Sequence, residues 1–205
     1  MASLLEIFIP SECLLCGRIE ARVCSACEPV LASDPRMVTR HGLYGFAASD
    51  YSPQVRSLIR SFKELGECAL APKLARPMAA LIDCFQNTDL TLTAIPGNRK
   101  SSLERGFNQA ELLAREIQKL NPTLKLSRLL RKSRDTLDQS KLKPGERALN
   151  QQNSMVAEVG RLNVVVVDDI ITTGATMRAA ADALQHAGHH FVGFVTFAET
   201  ESKKV

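Results

Sequence analysis

The chain has 205 residues, 45% of them apolar, and its 26 basic and 22 acidic side chains leave a net charge of +4. That is enough chain for one sizeable core and a small appendage; no apolar run approaches the length that spans a bilayer, and so mild a charge does not by itself imply nucleic acid. The opening "MASLLEIFIPSECLLC" has no basic leader before its short apolar stretch, which argues against a secretory signal and predicts a cytoplasmic protein.

The first motif is "CLLCGRIEARVCSAC", two Cys-x2-Cys pairs separated by seven residues. Two close pairs allow Cys13, Cys16, Cys24 and Cys27 to surround one tetrahedral zinc, and Gly17 suits the tight turn of a zinc knuckle. Two disulfides or four idle thiols are the competing readings, and a cytoplasmic address disfavours disulfides. So short a span leaves no open coordination position, so the expected zinc role is structural. Cys68 and Cys84 lack close partners and read as buried or bystander thiols.

Residues 37–49 are expected to pair as short strands. "SPQVRSLIRSFKELG" reads as a helix capped by Ser52, entered through Pro53 and stopped by Gly66. Val55, Leu58, Ile59, Phe62 and Leu65 form its apolar stripe, and Lys63 lies off it, near the end favoured by cations. A second helix is expected around residues 69–85, kinked at Pro77. "LTLTAIPGNRK" follows as a strand and a turn, in which Gly97 admits close backbone approach and Arg99 and Lys100 can face an anion. Pro-Gly followed by charge also fits any surface turn.

In "LERGFNQAELLAREIQKL", Asn108 is the expected N-cap of a helix, with Glu111 completing a capping box and Phe107 and Leu112 a hydrophobic staple. Arg105 and Gly106 sit just upstream. From Leu129 to Asn153 the chain is polar, basic and poorly periodic, as expected of a long functional or mobile loop with some helical content. Between Arg99 and Arg147 stand 13 basic and 6 acidic residues, either a solvated face or a polyanion site.

"VVVVDDIITTGATM", residues 164–177, begins as a strand buried on both faces. A hydroxyl-rich turn and a helix stopped at Gly188 follow it. Strands near 91–95, 164–167 and 191–198 alternate with helices, which predicts a mostly parallel sheet covered on both sides. Ligands in such sheets sit beyond the carboxyl ends of the strands, where Pro96–Lys100 and Asp168–Thr176 both emerge. A helix N-terminus favours phosphate. Yet Asp168 and Asp169 stand beside it, and two like charges about 4 Å apart repel by roughly 4 kcal/mol at an effective dielectric near 20. A ribose 5-phosphate resolves the conflict. Its phosphate takes the turn of Thr172, Thr173, Gly174, Ala175 and Thr176, while its hydroxyls donate to Asp168 and Asp169. Should its 1-position carry pyrophosphate, magnesium beside the two acids lowers the repulsion further, and Pro96, Gly97, Arg99 and Lys100 would hold the pyrophosphate.

"VVVVDDIITTGAT" resembles the phosphoribosyl-pyrophosphate (PRPP) signature of type I phosphoribosyltransferases. Together with the four-Cys module, "ERGFNQAELLARE" and "RDTLDQSKLKPGERALN", it resembles the ComF family of bacterial competence proteins over nearly the whole chain. The resemblance implies an α/β fold: a type I phosphoribosyltransferase-like domain with a mostly parallel sheet flanked by helices over 37–205, behind a small zinc-finger module over 1–36. It implies PRPP with Mg2+ as ligand, structural Zn2+, and a part in natural transformation. There the protein would handle incoming single-stranded DNA in the cytosol beside a helicase-like competence ATPase.

Arg105, Gly106, Phe107, Asn108 and Gln109 match the family stretch, as do Thr136, Gln139, Arg147 and Asn150; Arg105, Asn108, Gln109, Gln139 and Arg147 are the candidate DNA contacts. The family usually reads Pro-Val-Pro before its basic pair, where this chain has Ala94-Ile95-Pro96-Gly97-Asn98. Some related nucleobase transferases carry an acid as general base where this chain has Thr172, which cannot take a proton near neutral pH. An active transferase on a nucleobase or other acceptor is the alternative to a PRPP-binding DNA-uptake protein.

Overall fold

The computed structural model describes residues 11–86, 89–97, 106–133 and 154–200. Twelve elements matter here: β1 (Arg36–Arg40), β2 (Leu43–Asp50), α1 (Pro53–Glu64), α2 (Ala71–Ile82), β3 (Leu90–Ala94), α3 (Gln109–Leu120), β4 (Lys125–Leu126), β5 (Leu130–Lys132), β6 (Met155–Ala157), β7 (Asn163–Ile171), α4 (Ala175–His186) and β8 (His190–Glu199). Six strands form one sheet in the order β1-β2-β8-β7-β3-β4, parallel except for the β1–β2 hairpin. The mostly parallel sheet expected from the alternating strands and helices is thus present.

The valine run explains the layering. Successive strand residues face opposite sides, and all four valines are buried. Val165 and Val167 join a cluster with Leu58 and Phe62 of α1, Leu74 and Met78 of α2, and Leu113 and Ile117 of α3. Val164 and Val166 pack with Met177, Ala180 and Leu184 of α4, and with Leu130 and Met155. β7 therefore lies sandwiched between two apolar layers, so a polar residue on it is tolerated only at its ends or with a partner.

Ser52 caps α1 by accepting from the Val55 N–H at 3.3 Å. Val55, Leu58, Ile59 and Phe62 are buried as the stripe predicts, but Leu65 is 70% exposed, because the helix ends at Glu64 and the chain turns away. α2 runs through Pro77. The capping box at α3 does not form. Asn108 accepts from the Ala110 N–H at 3.1 Å, while Glu111 pairs with Arg115 at 2.7 Å and with Arg128. Phe107 packs on the main core and meets the Phe62 ring at 5.9 Å between centroids.

The stretch after Leu129 is not loop throughout. Leu130–Lys132 pairs antiparallel with Met155–Ala157 in a separate small sheet beside α4, a pairing that three-residue strands are too short to announce by periodicity. The helical content expected between them falls on residues outside those described. The cysteine segment shares the main core: Val23 and Leu31 are buried in the same cluster as α1 and α2.

Candidate functional site

β3 and β7 are neighbours, and the Ile95 N–H donates to the Val167 carbonyl at 3.0 Å. The Pro96–Gly97 turn and the Asp168–Thr176 segment consequently leave the sheet side by side. Asn108 fastens the first of them, donating from Nδ2 to the Ile95 carbonyl at 3.0 Å while its Oδ1 caps α3. Asn98, Arg99, Lys100 and Arg105 lie outside the described residues, as do Thr136, Gln139, Arg147 and Asn150.

Sequence reasoning ends the central strand at Val167, but β7 continues to Ile171. Asp168 and Asp169 are thus strand residues, and although consecutive strand positions alternate between faces, their carboxyl groups come together near the strand end. Asp169 is 4% exposed and its Oδ2 bridges to Lys63 Nζ of α1 at 2.8 Å. The sequence reading gave Lys63 only a place near the cation-favouring end of α1; nothing local marks it as the partner of Asp169. Asp168 is half-buried, and its Oδ1 accepts from the Asp169 N–H at 2.9 Å. Burial, and then the Asp169 carboxylate beside it, push the Asp168 carboxyl up to about 8. In register beside Asp168 on β8 stands Thr196, fully buried, whose Oγ1 is the one buried side-chain polar atom without a hydrogen-bond partner among the described residues.

The expected turn is shorter than drawn: Thr172, Thr173 and Gly174 form the loop, and Ala175 and Thr176 are already in the first turn of α4. The first intrahelical bond closes from the Arg178 N–H to the Gly174 carbonyl at 2.8 Å. The N–H groups of Ala175, Thr176 and Met177 therefore have no acceptor within the helix. The Ala175 N–H lies 3.4 Å from Thr173 Oγ1. Gly174 has φ 85°, and a Cβ there would stand 2.5 Å from Arg40 Cβ. The loop is thus pressed against the end of β1, and Arg40 holds it there, donating from Nε to the Thr172 carbonyl at 3.1 Å. Arg40 is itself fixed by Glu199, which also takes Arg36 at 2.7 Å.

Gln109 is 8% exposed and donates to the Lys63 carbonyl at 3.4 Å, so its amide works inside the fold rather than offering itself to DNA. Arg115 and Arg128 pair with Glu111, Lys119 with Glu116 and Lys125 with Asp89, whereas Arg131 and Lys132 of β5 are exposed.

The second centre is the cysteine segment. The sulfurs of Cys13, Cys16, Cys24 and Cys27 lie within 4.8 Å of one another, close to the separation of about 3.8 Å set by four Zn–S bonds in a tetrahedron. Turns shape it: the Gly17 N–H donates to the Cys13 carbonyl at 2.8 Å and the Cys27 N–H to the Cys24 carbonyl at 2.9 Å. Burial pushes the Cys13 thiol up, but the N–H groups of Cys24, Leu15 and Cys16 more than offset it and bring it down to about 6. The Cys24 sulfur, followed by burial, pushes Cys27 up to about 12. Four crowded thiols cannot all ionise without a cation among them, and the donor set fits zinc. Cys68 and Cys84 are exposed and outside the cluster.

The glycine-capped helix N-terminus behind two strand-end acids lies at the carboxyl edge of a mostly parallel sheet, where ligands of such sheets sit. The chain belongs to the phosphoribosyl transferase domain family, whose model matches residues 103–205. It is similar to competence protein ComFC of Bacillus subtilis (strain 168), 26% identical over 185 residues, covering 86% of this chain and 72% of that protein. It is also similar to DNA utilization protein YhgH of Salmonella typhimurium (28% over 188 residues, 87% and 79%) and to competence protein F of Haemophilus influenzae (29% over 148 residues, 67% and 65%). Within that domain family it is a ComF-family protein.

Proposed function

We propose that this chain binds PRPP with magnesium, and that it handles incoming single-stranded DNA in the cytoplasm during natural transformation. The observation that carries the ligand reading is the loop Thr172–Gly174 held between Arg40 and α4, with the two acids on the strand that leads into it. The 5′-phosphate takes the first-turn N–H groups of α4 and the threonine hydroxyls. The ribose hydroxyls donate to the strand-end acids, each such charged hydrogen bond contributing about 1.5–3 kcal/mol. The Pro96–Gly97 turn, with Arg99 and Lys100, receives the pyrophosphate. Asp168, the more exposed of the two acids, is the better placed for a magnesium ion arriving on that pyrophosphate, whose charge would also favour its ionised form. Residues 1–36 form the zinc module and 37–205 the transferase domain in this reading.

The DNA role rests on the names of the relatives and on the basic stretch containing Arg131 and Lys132, with Arg105, Gln139 and Arg147 as further contacts and a helicase-like ATPase as partner. Active transfer to an acceptor is the second reading. It is favoured by a cleft of about 410 Å³ adjoining Pro96 and Gly97, also lined by Asn108, Glu111 and Arg128.

Calorimetric titration of PRPP with and without magnesium, on the wild type and on Asp168→Asn/Asp169→Asn, tests the site. Magnesium-dependent binding lost in the double variant supports it; no binding by the folded wild type overturns it. Fluorescence anisotropy with a single-stranded oligonucleotide across a salt series tests the DNA arm, where binding must weaken steeply as salt rises.

A further inference from the structure

Two adjacent acids would by themselves attract a bare cation, yet the structure places a lysine beside them. Lys63 Nζ sits 2.8 Å from Asp169 Oδ2, with the lysine side chain 34% exposed and the aspartate side chain 6%. The lysine comes from the last turn of α1, whose buried stripe of Leu58, Ile59 and Phe62 fixes that helix against the sheet. The Lys63 carbonyl accepts from the buried Gln109 amide, and Phe107 stacks near Phe62, so the segment opening α3 braces the same turn. The ammonium is thus delivered to Asp169 by packing rather than by chance approach of a surface chain.

We propose that Lys63 is a resident counter-cation and positioning residue of the sugar-phosphate site. This rests on the reading that Asp168 and Asp169 face a ribose phosphate. Lys63 pairs directly with Asp169 from the α1 side and orients its remaining oxygen, and its charge also reaches Asp168, the more exposed acid, which faces the ligand. With one positive charge already beside the pair, a free divalent cation is held less strongly, which favours magnesium arriving on the pyrophosphate of the ligand. The protein thereby distinguishes the metal–ligand complex from the metal alone.

The test is Mn2+ titration of the full-length, zinc-loaded, PRPP-free protein, followed by electron paramagnetic resonance. Lys63→Met is expected to bind Mn2+ at least about tenfold more tightly than the wild type, Lys63→Arg to behave as the wild type, and Lys63→Met/Asp168→Asn to lose the gain. Removing a purely structural lysine would not raise metal affinity. Equal Mn2+ affinity in the wild type and in Lys63→Met overturns the proposal. Lys63→Gln replaces the methionine variant if its urea midpoint shows loss of the fold. Failure of the wild type to bind PRPP defeats the functional reading, whereas the Mn2+ comparison, made without PRPP, still decides the role of Lys63.

Discussion

Arg40 donates from Nε to the backbone carbonyl of Thr172 at 3.1 Å, joining the end of the first strand to the anion loop across 132 residues of chain. The same guanidinium meets Glu199 and the Thr200 carbonyl, so it ties three segments into one rim. Arg40→Met keeps the alkyl bulk but removes every one of these donors. It is expected to lower stability by about 1–3 kcal/mol in urea denaturation and to weaken PRPP binding by about tenfold. Unchanged affinity would mean that the loop holds its shape without the rim.

Gly174 answers to a different constraint. Its φ of 85° is in the left-handed region, which costs an L-residue about 1–2 kcal/mol, and a Cβ would meet Arg40 Cβ at 2.5 Å. Gly174→Ala is therefore expected to displace the loop and to reduce PRPP affinity more than it shifts the urea midpoint. Calorimetry and denaturation on the same sample separate the two effects.

Metal analysis of purified protein under reducing conditions is expected to return about one zinc per chain, as one four-sulfur set holds one ion. Cys24→Ser removes a buried ligand whose module shares Val23 and Leu31 with the main core. Zinc content and melting temperature should fall together, and a metal-free wild type that keeps its melting temperature would count against a structural ion.

Glu111 offers a pH test. Burial raises its pKa, but hydrogen bonds from Arg128 and Arg115 outweigh that and hold it below the usual carboxylate range. An acid with a depressed folded-state pKa contributes stability above its unfolded value, about 4.3, and loses it as pH falls through the folded value. The wild type should exceed Glu111→Gln in urea midpoint at pH 7, by less than about 1 kcal/mol because both arginines are exposed, and the gap should close below about pH 4.

What could be read from the sequence was local. The valine run announces a strand buried on both faces because alternation fails over four β-branched residues, and the paired cysteines announce a cluster because two short turns bring each pair together. The Ser52 and Asn108 caps were legible for the same reason, since a cap bonds within three residues. The Glu111 capping box was not, because Arg128, arriving from beyond the helix, competes for the same carboxylate. The partners of the acids were hidden as well. Asp168 and Asp169 look equivalent as letters, and only the fold buries Asp169 against Lys63 while leaving Asp168 half-buried, in register with Thr196. Arg40, Lys63 and Glu199 carry no motif; the contacts of Arg40 and Glu199 depend on which strand lies next to which in the sheet, and that of Lys63 on how α1 packs against it. Short-range backbone geometry and hydrophobic periodicity belong to the sequence by itself, whereas the charge balance of the site was decided by tertiary packing, because an ion pair records only distance in space.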